Sequence, residues 1–272
     1  MNLLGLVDKI IDDGDVIEVA CGVAFSRILM VNICFINHPE QAANGWVLID
    51  AGMPHSAQSI IKTAESRFGK GGRPVAIVLT HGHFDHIGAI IDLVNYWGCP
   101  VYAHPLEMPY LTGEANYPPP EPTADDGLMA KISPLYPHNG INLGGYINVL
   151  PQDGTVPGLT GWRWIHTPGH TPGHVSFFRD KDKVLVAGDA FVTVKQESAV
   201  AVLIQEEEIH GPPAYFTTDW QSAWNSVKLL NSLEPSVVVT GHGVPMHGEK
   251  LREELKILAH DFWELAIPHE IH

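Results

Sequence analysis

The stretch Thr80-His81-Gly82-His83-Phe84-Asp85-His86-Ile87-Gly88 places four metal-capable side chains within six residues. It follows the apolar run Val75–Leu79, which is typical of a short buried strand. After it, apolar residues recur at helical spacing as far as Trp97, which predicts a helix. The four side chains are therefore predicted to lie on a strand-to-helix turn, at the carboxyl end of the strand.

The residue types in this stretch suit a metal ion. In an extended segment His81, His83 and Asp85 would share one face, because side chains alternate along a strand. His86 would then begin the helix, and Asp85 is a candidate cap for it. Imidazole and carboxylate ligands suit zinc, iron or manganese. The alternative, a solvated loop rich in histidine, would need four ligand-type side chains at this spacing by accident.

Three later segments carry further residues of the same types. They are Thr167-Pro168-Gly169-His170, Ala187-Gly188-Asp189 and Thr240-Gly241-His242. Together with His81-x-His83-x-Asp85-His86, these segments resemble the metallo-β-lactamase superfamily, and most closely its glyoxalase II-type branch and the related lactonases. The resemblance covers roughly residues 15 to 265.

This resemblance implies an α/β fold, the αββα sandwich, in which two mixed β-sheets are flanked by helices. The sequence contains a short echo that agrees with it, because an apolar strand ends in a ligand-type residue twice in each half, at Asp50 and His81 and again at Asp189 and His242. We predict a single domain of this fold over residues 1–272, with lid-like insertions at about 104–145 and 193–218.

The two insertions differ from the rest in composition. Asn116–Pro122 is rich in proline, which excludes a helix or a central strand there. Long irregular segments in compact enzymes are usually lids or binding loops. The second insertion carries the acidic run Gln205–Glu208, which we interpret as a solvated face. We predict that aromatic residues of both insertions shape a mostly apolar pocket over the metals, namely Tyr117, Tyr136, Tyr215 and Phe216.

The ligand set is implied by the resemblance. It assigns His81, His83 and His170 to one metal, assigns Asp85, His86 and His242 to a second, and lets Asp189 bridge the two. We expect two divalent ions, zinc in the first place, with iron and manganese as alternatives. Such a pair ionises water at neutral pH and stabilises an oxyanion. Asp189 as the bridge and Asp85 as a proton carrier to the leaving group are the predicted catalytic residues.

Some elements and residues have more than one interpretation. Asp50 is either an outer support of the metal loop or a cap of the helix predicted around 55–68, and the two roles are compatible. His166 and His174 are interpreted as structural or supporting residues, since only His170 matches the family's pattern. Arg27–Ile36 is predicted to be one long strand. The stripe Leu251, Leu255, Leu258, Phe262 and Leu265 predicts a final helix that faces the core.

These assignments predict a dinuclear hydrolase that attacks an ester, thioester or lactone carbonyl with a metal-bridging hydroxide. Asp189 argues against an antibiotic-hydrolysing role, because β-lactamase branches usually lack the bridging carboxylate. Only 30 residues follow His242, where glyoxalase II has a glutathione-binding helical domain, and Val192 replaces the tyrosine of the homoserine-lactone enzymes. The alternatives are a mononuclear iron oxidoreductase of the persulfide dioxygenase type and a non-catalytic metal-binding module.

Composition limits the partners. The 272 residues carry a net charge of -15, which opposes binding to nucleic acid. Three widely spaced cysteines indicate a reducing compartment, and the apolar start Met1–Val7 is too short for a signal peptide or a membrane span. We predict a small-molecule substrate, neither nucleic acid nor membrane as a partner, a cytoplasmic location, and a monomer or homodimer.

Overall fold

A computed structural model describes residues 15–37, 45–124, 127–195 and 207–268. The first of its two sheets has seven strands that follow one another in chain order. Neighbouring strands are antiparallel from β1 to β4 and parallel from β4 to β7. The strands are β1 (Val16–Ala20), β2 (Val23–Ile28), β3 (Val31–Asn37), β4 (Trp46–Ile49), β5 (Ala76–Val78), β6 (Val101–Ala103) and β7 (Ile147–Val149).

The second sheet has six strands in the order β13-β12-β11-β10-β9-β8. It is also mixed, because β11 and β12 run parallel whereas the other neighbours are antiparallel. The strands are β8 (Thr155–Val156), β9 (Leu159–His166), β10 (Val175–Arg179), β11 (Val184–Gly188), β12 (Val237–Thr240) and β13 (Met246–His247).

Helices cover the outer faces of both sheets. The α-helices are α1 (Ala57–Phe68), α2 (Phe84–Ile87), α3 (Ile90–Trp97), α4 (Met108–Leu111), α5 (Leu128–Ile132), α6 (Trp220–Ser232), α7 (Gly248–His260) and α8 (Phe262–Leu265). None of the helices in the described ranges is both long enough and apolar enough to cross a bilayer.

Three apolar layers hold the sandwich together. One lies between the first sheet and α1 and α3, where Phe35, Trp46 and Ile60 are buried. The middle layer joins the two sheets and includes Ile49 and Phe177. The third packs α6 and α7 on the second sheet. The predicted αββα sandwich of two mixed sheets with flanking helices is confirmed. Burial of apolar surface in these layers is the dominant stabilising contribution.

The strand ends bring the site together. Parallel strands end at the same edge, so the residues after β4 and β5 are neighbours, and those after β11 and β12 are neighbours as well. Asp50 and His81 follow the first pair, and Asp189 and His242 follow the second. Backbone hydrogen bonds from Val75–Leu79 to neighbouring strands continue up to the metal loop. The similar strand ends in the two halves of the sequence therefore correspond to two sheet edges that both carry ligand-type residues and lie next to each other.

Three local predictions are wrong. Arg27–Ile36 is the end of β2, a two-residue turn and β3; Leu29 adopts φ 58 in that turn, and no glycine or proline marks it. The helix after the metal loop starts at Phe84, so His86 lies inside it, and the N-cap residue is His83 and not Asp85. The predicted final helix is divided in two, because α7 ends at His260 and the short helix α8 follows at Phe262–Leu265, where Leu265 is 55% exposed.

The first insertion contains more regular structure than the sequence predicted. It holds α4, α5 and three 3-10 turns, at Pro105–Glu107, Ser133–Leu135 and Gly144–Tyr146. Proline prevents long helices here but is compatible with the first turn of short ones. The lid-like role of both insertions stays a prediction. Residues 1–14 and 196–206 lie outside the described residues, and with them the start of the chain and part of the acidic run.

Candidate metal centre

The first group of ligand-type side chains consists of His81, His83 and His170. His81 Nε2 lies 3.1 Å from His83 Nδ1, which lies 2.9 Å from His170 Nε2. All three side chains are buried. Three ring nitrogens thus converge from two loops that are 87 residues apart in sequence. His83, directly before α2, has an extended backbone.

The second group consists of Asp85, His86 and His242. His242 Nε2 lies 3.3 Å and His86 Nε2 lies 3.9 Å from Asp85 Oδ2. Asp85 does not share the face of His81 and His83, because α2 has begun and turns its side chain toward the second group. The helix thereby divides one short sequence motif between two clusters.

Asp189 lies between the two groups. Its Oδ2 is 3.5 Å from His170 Nε2 and 3.3 Å from His242 Nε2, and its Oδ1 is 3.5 Å from His86 Nε2. One carboxylate therefore contacts histidines of both clusters. This is the position that a bridging ligand requires.

These residues fit a pair of metal ions. The ligand atoms within each cluster lie within 4.8 Å of one another. Among the described residues, the buried atoms His86 Nε2 and Asp189 Oδ1 have no hydrogen-bond partner. Buried polar atoms are normally satisfied, so two unsatisfied atoms facing each other indicate a missing ligand. The first cluster offers three imidazoles, and the second offers two imidazoles with carboxylates. Zinc, iron and manganese accept donor sets of both kinds.

The outer nitrogens of four histidines are fixed by hydrogen-bond acceptors. His86 Nδ1 donates to Asp50 Oδ2 at 2.8 Å, and His242 Nδ1 donates to the Met30 carbonyl at 2.8 Å. His81 and His170 use hydroxyls in the same way, those of Thr80 at 3.0 Å and Thr217 at 3.2 Å. Each hydroxyl donates its own proton elsewhere, so it accepts from the ring. The Nε2 of all four rings then points inward, where a metal would bind.

Asp50 supports the metal loop from outside. Besides His86, its carboxylate accepts the backbone N–H and the hydroxyl of Thr80, both at 2.8 Å. It adopts φ 60, a backbone conformation that costs energy and is concentrated at functional sites. The capping alternative is wrong, because the N-cap residue of α1 is Ser56.

His174 supports the bridging residue. Its buried Nε2 accepts the backbone N–H of Asp189 at 2.9 Å, while Nδ1 lies 3.1 Å from the Thr167 carbonyl. Burial, reinforced by nearby His170, lowers the pKa of His174 to about 3, so the ring is neutral and can accept this bond. His166 instead stacks on His104, with ring centroids 4.2 Å apart. Both positions agree with the supporting or structural role that was predicted.

The two clusters differ in charge before any metal binds. Burial, with the charge of His86 nearby, lowers the pKa of His83 to about 3, and burial also lowers the pKa of His81 and His170. Burial opposes the charge on His242, yet Asp189 and Asp85 raise its pKa to about 10. The first cluster therefore offers neutral imidazoles, whereas metal binding at the second must displace protons.

An aromatic wall lies beside the first cluster. Phe216 and Tyr117 each place a ring centroid 4.6 Å from that of His83. Tyr136 packs between Phe84 and Phe216, at centroid distances of 5.6 and 6.3 Å. The two insertions thus meet next to the metal loop, and all four aromatic residues that were predicted to line the pocket lie in this region.

Several supporting residues had no signal in the sequence. Thr217, the Met30 carbonyl and Glu107 come from segments far from the motifs, and each makes its contact only because the fold brings it there. Thr80 is the exception, because it stands directly before the first ligand. A hydroxyl at the end of the strand was a detectable candidate for holding His81.

Comparison with known proteins agrees with this geometry. The family model of the metallo-beta-lactamase superfamily matches residues 28–242, which contain all seven ligand-type residues. The chain belongs to the metallo-β-lactamase superfamily. It is 52% identical over 242 residues to the probable metallo-hydrolase YflN of Bacillus subtilis (strain 168), covering 89% of this chain and 91% of that protein. The chain is accordingly a probable metallo-hydrolase.

Two less similar proteins have informative names. Hydroxyacylglutathione hydrolase GloC of Haemophilus influenzae (strain ATCC 51907 / DSM 11121 / KW20 / Rd) is 28% identical over 171 residues, covering 61% of this chain and 68% of that protein. The crystal structure of TTHA1623 in a di-iron-bound form superposes with a TM-score of 0.55 at 27% identity, covering 84% of this chain and 92% of that chain. In that structure TTHA1623 thus holds two iron ions.

Proposed function

We propose that this superfamily member is a dinuclear metal-dependent hydrolase acting on an ester, thioester or lactone carbonyl. The observation that carries the proposal is the Asp189 carboxylate, which lies within 3.5 Å of His170, His86 and His242. A ligand shared between two clusters is what a two-metal site needs. We expect zinc as the native metal, and the di-iron relative makes iron the first alternative to test.

The site residues would act in distinct ways. When bound, the two ions would supply a hydroxide nucleophile at neutral pH and electrostatic stabilisation of the developing oxyanion. Asp189 would hold the two clusters at a fixed separation and compensate part of the positive charge of the ions. Asp85 is the most exposed of the carboxylates in the two clusters, at 11% of its side chain, against 3% for Asp189. It is therefore the ligand best placed to pass a proton to a leaving group.

The surroundings favour a carbonyl substrate over a phosphodiester. The wall formed by Phe84, Tyr136 and Phe216 is apolar and suits an acyl or aryl group. In sequence, the basic residue nearest to the 81–86 loop is Arg73, and the one nearest to His170 is Arg163; neither is adjacent to a ligand. With a net charge of -15, nucleic acid is a poor partner. A small-molecule substrate, a cytoplasmic location and a monomer or homodimer belong to the same proposal, as does the glyoxalase II or lactonase branch.

A substrate panel tests the chemistry. Metal-replete protein is offered acyl thioesters, aryl esters, lactones and bis(p-nitrophenyl) phosphate, and kcat/KM is measured for each. We expect the highest value for one of the carbonyl compounds, because the aromatic wall can bury an acyl or aryl group. The control is the same protein after treatment with a chelator, which reports any metal-independent hydrolysis.

Two outcomes would reject this function. The first is a higher kcat/KM for the phosphodiester than for every carbonyl substrate. The second is oxygen consumption with a persulfide and no hydrolysis, which would replace the proposal by the mononuclear iron oxidoreductase.

A further inference from the structure

Glu107 is a buried carboxylate far from the ligand motifs. It ends the 3-10 turn Pro105–Glu107 in the first insertion and is 0% exposed. Burial of a carboxylate destabilises the fold unless the group is paired or fully hydrogen-bonded, so the partners of Glu107 matter.

Four donors surround the Glu107 carboxylate. Oε2 accepts the backbone N–H of Gly82 at 3.0 Å and a short hydrogen bond from the Tyr117 hydroxyl. Oε1 accepts the hydroxyl of Thr171 at 2.8 Å and the backbone N–H of Gly173 at 2.9 Å. All four partners donate, which matches a carboxylate, because its oxygens are hydrogen-bond acceptors.

Three of these donors, Gly82, Thr171 and Gly173, belong to the two loops that carry the first cluster. Gly82 lies between His81 and His83, and Thr171 directly follows His170. One side chain therefore connects the loops that supply all three imidazoles. Tyr117 adds a second contact, because its hydroxyl binds Glu107 while its ring packs on His83.

Both loops have glycine at the point of close approach, by Glu107 at Gly173 and by Tyr117 at Gly82. A Cβ on Gly173 would lie 2.7 Å from Glu107 Cγ and Oε1. A Cβ on Gly82 would lie 2.5 Å from the Tyr117 hydroxyl. Neither distance is tolerated by a real side chain, so only glycine permits this close approach of the backbone. The two glycines and the carboxylate form one fitted contact.

We propose that Glu107 is a positioning residue that holds His81, His83 and His170 at the separations a metal ion needs. This inference rests on the proposed metal site and not on the choice of substrate. Glu107 would act on the three rings through the backbone of both loops and through Tyr117. Supports of this kind typically change metal affinity by about 10- to 100-fold when they are removed.

The test measures Co²⁺ binding at one cluster at a time. A His242→Ala background removes a ligand of the second cluster, so the remaining ion reports on the first; a His170→Ala background does the reverse. Glu107→Gln is introduced into each, because glutamine keeps the size but turns an NH₂ group toward two donors. Affinity and the visible cobalt absorption are recorded by titration with cobalt chloride.

We expect Glu107→Gln to weaken Co²⁺ binding about 10- to 100-fold in the His242→Ala background and to change its absorption spectrum. In the His170→Ala background the change should stay below about threefold. The matched control is Glu254→Gln, since Glu254 also accepts a backbone N–H, from Ile209, but lies away from the metal loops. Glu254→Gln should change the Co²⁺ affinity by less than about threefold in both backgrounds.

Equal effects in both backgrounds, or no effect in either, would overturn the proposal. If Glu107→Gln fails to fold, Tyr117→Phe provides the readout, because it deletes one donor and keeps the ring on His83; an unchanged first-cluster affinity and spectrum would then overturn it. These results do not depend on turnover. A protein that binds two cobalt ions but hydrolyses no member of the panel rejects the proposed function and leaves this inference standing.

Discussion

Asp189→Asn is expected to lower kcat/KM by about a thousandfold or more, since both metals would lose a charged ligand at once. The carboxylate lies 3.3 to 3.5 Å from histidines of both clusters. Asparagine has nearly the same size, and the backbone N–H that binds His174 is unchanged. The fold should therefore survive. We measure kcat/KM with the best carbonyl substrate and determine the metal content of the same sample.

The control for this substitution is Asp180→Asn. Asp180 is a surface carboxylate paired with Arg163, and its exchange should leave turnover and metal content unchanged. If Asp189→Asn retained full turnover with both ions bound, Asp189 would not bridge the metals. A loss of activity that accompanied a loss of helical circular dichroism would be a folding defect, and Asp189→Glu would then be needed to test the role.

Removal of the metals is expected to abolish turnover and to lower the melting temperature. The buried cluster leaves His86 Nε2 and Asp189 Oδ1 unsatisfied unless an ion binds them. A ligand at about a thousand times its dissociation constant stabilises the folded state by about 4 kcal/mol. For a domain of this size, that corresponds to roughly 8–16 °C in melting temperature. Calorimetry with and without a chelator measures this shift.

The return of the metal should depend on pH. The pKa of His242 is raised to about 10 by Asp189 and Asp85, against the effect of burial, so the empty site holds a proton there at neutral pH. A metal must displace that proton, so its affinity should fall as the pH is lowered.

Turnover that survives complete chelation, with an unchanged melting temperature, would contradict a metal-dependent mechanism.

The sequence was sufficient for those parts of the site that are contiguous motifs. His81, His83, Asp85 and His86 were visible because ligands crowd into one strand-to-helix turn. Which cluster Asp85 faces follows from the residue at which α2 begins, and helix boundaries are poorly determined by residue pattern alone. The grouping implied by the resemblance matches the clusters that the structure brings together, whereas the alternation argument placed Asp85 with His81 and His83.

Contacts between distant segments were beyond the sequence. In the sequence Glu107 is an ordinary charged residue in a proline-containing segment, and only the folded chain brings Gly82 and Gly173 to its carboxylate. The Leu29 turn was missed for a related reason. A left-handed residue without glycine leaves no mark in an apolar run, although this turn places the Met30 carbonyl on His242.

The central claim is that two metal ions act together in one site. Metal-free protein is titrated with zinc, and bound metal and kcat/KM are measured at each step; the series is repeated with iron under anaerobic conditions. The account predicts that activity keeps rising until about two ions are bound per chain and then levels off. Full activity at one ion per chain, unchanged by excess metal, would contradict it.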